Sequence, residues 1–478
     1  MQAKQQNTTL AILVSVFFFW GFVAASNDLL IPVFKKALDL TQVQSQMISF
    51  CFYVAYTIGA VIYFLLSKVR GRSIIDQFGP NTSISIGLCV SAVGAFLFYP
   101  AAVLNSFGIM LAGLFIVGLG FSLQQTAANP FAISLGTPET GSQRLSLAGG
   151  INNLGTTIGP LLLAYVVFGG SGGGAENATI DDVKIPYLVL GLAFLLAAAV
   201  FYFTRPKTPV ITGITAEDEL ALQDSAKLGS VFRFKQLPLG MIAIFVYVGV
   251  EVSTVANLPE YMVSKLGFSE GGTAPFVALF WGSLMIGRWA AATAALTTNK
   301  VARMALKVVV PYVAFGLFLL FSHLSGNEIE PFYNYAFIIP IMIIADFATR
   351  EKPYTMLLLY SLLGIIALLI GINTDGMTAV YAIMSVGLFL STLWPCIFTL
   401  AISGLGKQAD YGSNFLIMMI MGGGIISLFQ GYLVDLSSVG IQNSYFVGVA
   451  CFAYLIYYAL VTGPIHKRNT ELAKTTNL

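Results

Sequence analysis

The sequence predicts an all-α polytopic membrane protein of about 14 spans, divided into two lobes by one polar stretch. Three observations carry that expectation. Hydrophobic residues make up 57% of the 478 positions and charged residues only 10%, with a mean hydropathy of +0.82, a composition suited to lipid rather than water. Apolar segments recur with little pause from Thr9 to Gly463 and leave no room for a soluble domain. The basic residues fall on alternate connections, as the topology of a multi-span chain requires.

Each crossing needs about 20 apolar residues. The first six segments lie at roughly 9–33, 42–66, 82–104, 107–134, 143–168 and 186–204. Residues 1–204 therefore read as an N-terminal six-helix lobe. Residues 205–236 are the longest polar stretch, mixing Glu217, Asp218, Glu219 and Asp224 with Lys227, Arg233 and Lys235, and read as a cytoplasmic linker. Residues 237–478 form the C-terminal lobe, with segments at roughly 238–263, 272–297, 305–323, 332–347, 354–372, 377–404, 412–436 and 443–463. The glycine-rich run Gly169 to Asn177 lacks the Lys-Ser/Thr of a phosphate loop and reads as a flexible external connection.

With a cytoplasmic N-terminus, 19 of the 24 basic residues fall on the inner side, against only Lys35, Lys36, Lys184 and Lys265 outside. Both termini are thus expected in the cytoplasm. The first apolar run has no small-residue cleavage pattern and is expected to stay as a span. A net charge of +2 gives no reason to expect a nucleic-acid partner. The four cysteines fall in apolar segments without metal-ligand spacing, and no nucleophile, metal or paired-acid arrangement points to an enzyme or a cofactor.

Polar residues inside spans carry the functional information, because a charge near the bilayer centre costs about 2.5–3.5 kcal/mol on insertion scales. Asn27 and Asp28 in FWGFVAASNDLLIP are the first such group, with Asp28 roughly 10 Å from its span's centre. Gln124, Gln125 and Asn129, just before Pro130, are the second. Gln125 and Asn129 share a face at i,i+4 spacing, and amides match sugar hydroxyls by offering both donor and acceptor. The same amides could instead tie helices together. Asn152 and Asn153, in GGINNLGTTIGP, are the third, and of the two Asn152 is taken as the functional one. Glu251 in VYVGVEVSTVANLPEY is a second intramembrane carboxylate, either a coupling group or one half of an ion pair with Arg288. Arg288 reads as structural or gating, near enough to the inner face to snorkel. Trp281 and Trp394 can stack on a pyranose or simply pack.

These segments, together with TAANPF, RLSLAGGINNLGTTIGP, WGSLMIGR and STLWPCIFTLAISGLG, resemble the fucose/glucose/galactose:cation symporters of the major facilitator superfamily along nearly the full chain. The resemblance implies a major facilitator fold, two six-helix lobes, with sugar bound near the midplane and a bacterial inner-membrane location. Such proteins usually have twelve spans, so residues at about 306–350 are expected to be an inserted transmembrane hairpin. In the fucose branch, a first-span aspartate and a glutamate before TAANP serve proton coupling and sugar binding. Asp28 matches the first, whereas Gln125 stands at the second and cannot titrate. Asn152 matches the family amide of the fifth span, but Gly149 stands where a glutamine is expected.

The function expected is cation-coupled symport of a hexose by alternating access, with Asp28 and Glu251 in ion coupling and Asp28 as a Na⁺ ligand or proton carrier. Glucose, galactose or mannose is favoured over fucose, and Na⁺ slightly over H⁺. Asn27, Gln124, Gln125, Asn129, Asn152, Trp281 and Trp394 are the expected sugar contacts. The protein is expected to be monomeric, to have no cofactor, and to have the hexose, the cation and the bilayer as its partners.

Overall fold

The computed structural model describes residues 9–23, 42–70, 73–136, 140–168, 184–204, 228–268, 270–297 and 299–476. Asn27 and Asp28, the Gly169 to Asn177 connection and most of the linker lie outside the described residues. Among the described residues all regular structure is helical. Among the described residues twelve helices are long and apolar enough to cross a membrane, and each coincides with a span expected from the sequence. The first and fifth expected spans appear as two further helices.

In chain order the segments are α1 (Thr9–Val23), α2 (Gln42–Arg70), α3 (Pro80–Val103), α4 (Phe107–Ser134), α5 (Gly141–Phe168), α6 (Lys184–Phe203) and α7 (Gln236–Leu266). There follow α8 (Glu270–Leu296), α9 (Lys300–Leu324), α10 (Glu330–Thr349), α11 (Pro353–Asn373), α12 (Gly376–Ile402), α13 (Ala409–Asp435) and α14 (Gly440–Thr470). The expected hairpin is α9 and α10, the latter opening as a 3₁₀ turn over Glu330–Phe337.

Local chemistry sets several ends. Ser106 caps α4 by accepting from Ile109 N, and Asn299 caps α9 through Oδ1, which accepts from Val301 N at 3.0 Å and Ala302 N at 3.2 Å. Gly267, at φ 71°, ends α7 in the left-handed conformation that glycine adopts without strain. Large apolar side chains such as Leu196, Phe203, Ile344 and Leu428 stay exposed, the surface a bilayer would cover.

The chain forms two compact units. The first comprises residues 1–135, 158–233 and 405–420, and the second 136–157, 234–404 and 421–478. In the first, α3 packs on α4 and α6, and α2 on α4. The opening half of α13 joins this unit: Asn414 Nδ2 donates to Ala60 O at 2.8 Å and Ser413 Oγ to Thr126 O at 2.7 Å. In the second, α7 packs on α14 and on the closing half of α13, α8 on α9 and α12, and α11 on α14. The hairpin is held to α8 by buried rings, Phe276, Phe315, Phe318, Phe332 and Tyr335, and by a 2.6 Å hydrogen bond of Tyr335 with Ser283.

Candidate functional site

The first unit carries a neutral polar cluster. Gln124, fully buried, accepts from Trp20 Nε1 at 2.7 Å and donates to Ser91 Oγ at 3.0 Å, tying α4 to α1 and α3. Gln125 is rotated about 100° from it. Its amide nitrogen donates to the Tyr56 hydroxyl at 3.0 Å. One turn on, Asn129 is 1% exposed and its amide nitrogen has no hydrogen-bond partner. Gln125, Asn129 and Tyr56 thus form the part of this cluster that retains donors for a polar ligand, while Gln124 is committed to packing.

Pro130 acts through the backbone. A proline has no N–H to offer the carbonyl four residues earlier, which is that of Thr126. That carbonyl is the one that accepts from Ser413. The proline frees an acceptor on α4, and α13 uses it.

The second unit carries a charged cluster centred on Arg288 of α8, which is 9% exposed. Its Nε donates to Ser391 O at 3.0 Å, its Nη1 to Asn153 Oδ1 at 2.7 Å and to Gly149 O at 3.3 Å, and its Nη2 to the Tyr247 hydroxyl at 3.3 Å. The guanidinium does not snorkel. It joins α5, α7, α8 and α12 within one unit, using the planar fork that only arginine has.

Glu251 lies one turn beyond Tyr247 on α7, close enough to Tyr247 and Arg288 to interact with both. No contact of 4 Å or less closes Glu251 and Arg288 into a salt bridge. The Oε2 of Glu251 is buried without a hydrogen-bond partner, as are Thr254 Oγ1 on the same helix and Thr392 Oγ1 on α12. Trp394 of α12 stands 6.0 Å from Tyr247, ring centre to ring centre. Carboxylate, phenol, guanidinium and indole therefore converge in one place. Trp281 is partly exposed and contacts Phe280 edge-on.

The helical pattern and the order of segments agree with the Major Facilitator Superfamily, whose sequence pattern matches residues 8–349. The chain belongs to the Major Facilitator Superfamily. The glucose/galactose transporter of Brucella abortus is 34% identical over 96% of this chain and 95% of its own. A putative glucose/galactose transporter of Helicobacter pylori is 30% identical over 96% of this chain and 98% of its own. FucP, a fucose:proton symporter of Escherichia coli, matches in its outward conformation with a TM-score of 0.71 at 26% identity, covering 96% of this chain and 99% of FucP. Membership of a transporter superfamily, rather than the absence of any group, bears out the expectation that the chain is not an enzyme.

Within this superfamily fold, Gly149 has a physical reason. A Cβ there would lie 3.1 Å from Arg288 Nη1, and at Gly150 one would lie 2.4 Å from Trp289 Cδ1. Any side chain at 149 would require the guanidinium to give by a few tenths of an ångström. Of the asparagine pair on α5 the sequence reading gives the functional role to Asn152, and Trp289 escapes it altogether. Asn153, 2% exposed, is the amide that meets Arg288, whereas the expected Asn152 is half-buried on a different face of α5. Trp289 presents a buried indole N–H without a partner. Its signal was the glycine pair opposite it, which implied a close approach.

Proposed function

We propose that the protein is a secondary active sugar transporter, moving a hexose together with a cation by alternating access. The observation that carries this reading is the cluster of Glu251, Tyr247, Arg288 and Trp394, which supplies a hydrogen-bonding charge and an aromatic ring side by side. A sugar needs both: hydroxyls take fixed donors and acceptors, and the apolar face of a pyranose takes a ring. The relatives named for glucose and galactose transport support a hexose, glucose or galactose first and mannose next.

Gln125 and Asn129 supply amides to the same sugar class, and Asn152, Trp281 and Asn27 are proposed as further contacts. Asp28 is the proposed coupling group, holding Na⁺ as a hard oxygen ligand or carrying H⁺. Glu251 is proposed to take part through its unpartnered oxygen, with Arg288 compensating its charge. Because Gln125 cannot titrate, Na⁺ is favoured. No cofactor is required, a single chain suffices, and residues 1–204 and 237–478 act as the two lobes joined by the linker 205–236. Both termini are proposed to face the cytoplasm, on the alternation of basic residues, with the protein in a bacterial inner membrane. The likeness to FucP supports a second reading, proton-coupled fucose uptake on the same fold.

The test is hexose uptake into proteoliposomes under separately imposed Na⁺ and H⁺ gradients. Accumulation above equilibrium under one gradient is expected; equilibration without accumulation would make the protein a facilitator. Asp28→Asn is expected to abolish accumulation while counterflow exchange of sugar persists. Accumulation that survives Asp28→Asn would remove Asp28 from coupling.

A further inference from the structure

The α9–α10 hairpin, expected from the sequence as an addition to the two six-helix lobes, carries the most buried ion pair among the described residues. Lys307 of α9, 4% exposed, donates to Asp346 Oδ2 of α10 at 2.5 Å and to Glu351 Oε1 at 3.0 Å. Asp346 is 1% exposed. Arg303, one turn before Lys307, donates from Nη1 to the other oxygen of Glu351 at 3.1 Å and from Nη2 to Thr297 O. Glu351 is therefore gripped on both carboxylate oxygens by cations of one helix.

The backbone at that point is unusual. Arg350 and Glu351 have φ of 51° and 60°, two consecutive residues other than glycine in the left-handed region. Such a turn persists only where its surroundings over-determine it, and the two cations on Glu351 are such surroundings. The turn directs the main-chain carbonyl of Glu351 to Gln143 Nε2, which donates to it at 2.9 Å. Gln143 is 2% exposed, and its own oxygen accepts from Ser142. It belongs to the first turn of α5, the helix that carries Gly149, Asn152 and Asn153.

At 100° per residue, Gln143, Gly149, Gly150 and Asn153 fall within about one third of the helix circumference. One face of α5 is thus held in the second unit at two heights, by Glu351 near its start and by Arg288 and Trp289 about 10–15 Å along. Two heights fix a helix's rotation as well as its position; one does not.

The geometry points to Glu351 as a positioning residue for transport: through Lys307 and Arg303 the inserted hairpin sets the rotation of α5, and with it the amides of Asn152 and Asn153. This rests on the hexose-transport reading above. It makes the hairpin part of the sugar site's support rather than a lipid-facing addition.

Full-length protein in proteoliposomes tests the link with glucose or galactose counterflow. Glu351→Gln keeps the side chain's shape and removes its charge, and Gln143→Ala removes the donor on α5. Each is expected to raise the half-saturation concentration about tenfold with the maximal rate within about twofold. The double variant is expected to match the single variants, because both break one connection. Half-saturation within about twofold of wild type, or effects that multiply in the double variant, would overturn the proposal. A second readout does not depend on sugar. Cysteine introduced as Asn152→Cys, labelled with a maleimide and followed by peptide mass spectrometry, should change its labelling rate at least about fivefold when Glu351→Gln or Gln143→Ala is added. An unchanged rate would refute the link even if wild type moved no hexose, whereas absent counterflow in wild type would refute only the hexose reading.

Discussion

The two polar clusters use opposite means to hold polar groups inside an apolar protein. In the first unit, Trp20, Gln124, Ser91, Gln125 and Tyr56 are neutral and joined pairwise by side-chain hydrogen bonds. In the second, one guanidinium serves four acceptors on three other helices and leaves a nearby carboxylate oxygen without a partner. A neutral network loses little when one member is removed. A charge hub loses all its contacts together, and strands a carboxylate in a medium that solvates it poorly.

The largest effect is therefore expected from Arg288→Met. Breaking a buried charged interaction from one side costs about 3–5 kcal/mol, and each 1.4 kcal/mol is a factor of ten, so sugar uptake should fall at least about 100-fold. Arg288→Lys should also fail, since a point donor cannot reach Ser391 O, Asn153 and Tyr247 at once. Adding Glu251→Gln to Arg288→Met should recover folded protein, read by size-exclusion chromatography, without recovering uptake. Recovery of uptake would show that the pair serves only to neutralise itself, and the contrast between the clusters would then be one of stability alone.

Gln125→Leu tests the neutral cluster where it retains capacity. Losing the amide leaves the Tyr56 hydroxyl without its partner and removes one proposed sugar contact. At about 1 kcal/mol for such a bond, the half-saturation concentration should rise roughly fivefold with little change in maximal rate. No change would confine ligand contact to the charged cluster.

Much of this was legible in the sequence, for reasons that differ by residue. The spans were visible because lipid imposes length and hydropathy on each one, and the hairpin because two extra spans preserve the alternation of basic connections. Glu251 and Arg288 were visible because a charge in a span is costly wherever it points. Direction was the part that could not be read. Adjacent residues on a helix differ by about 100°, so Asn152 and Asn153, or Gln124 and Gln125, have equal claims until the rotation of the helix is known. Arg288 was expected to snorkel because its distance along the span allows it, but its contacts are set by Gly149, Asn153 and Ser391, which are remote in sequence. Asp346 drew no attention near the end of its span, since its partner Lys307 stands on another helix.

The smallest effect on transport is expected from Gln124→Leu, and that makes it the most discriminating substitution in the neutral cluster. Gln124 sits beside Gln125 and is of the same residue type, so any argument from composition treats the two alike. Structurally they differ: the oxygen of Gln124 is used by Trp20 and its nitrogen by Ser91, and the residue has no exposed surface. Leucine would strand the buried Trp20 N–H, at a cost of about 0.5–2 kcal/mol, the range for hydrogen bonds between helices in membrane proteins. The thermal unfolding midpoint in detergent should fall, while half-saturation for sugar stays within about twofold of wild type. If Gln124→Leu instead raises half-saturation more than Gln125→Leu does, the division of the α4 amides into one that packs and one that binds is wrong, and the Trp20 contact belongs to the transport site.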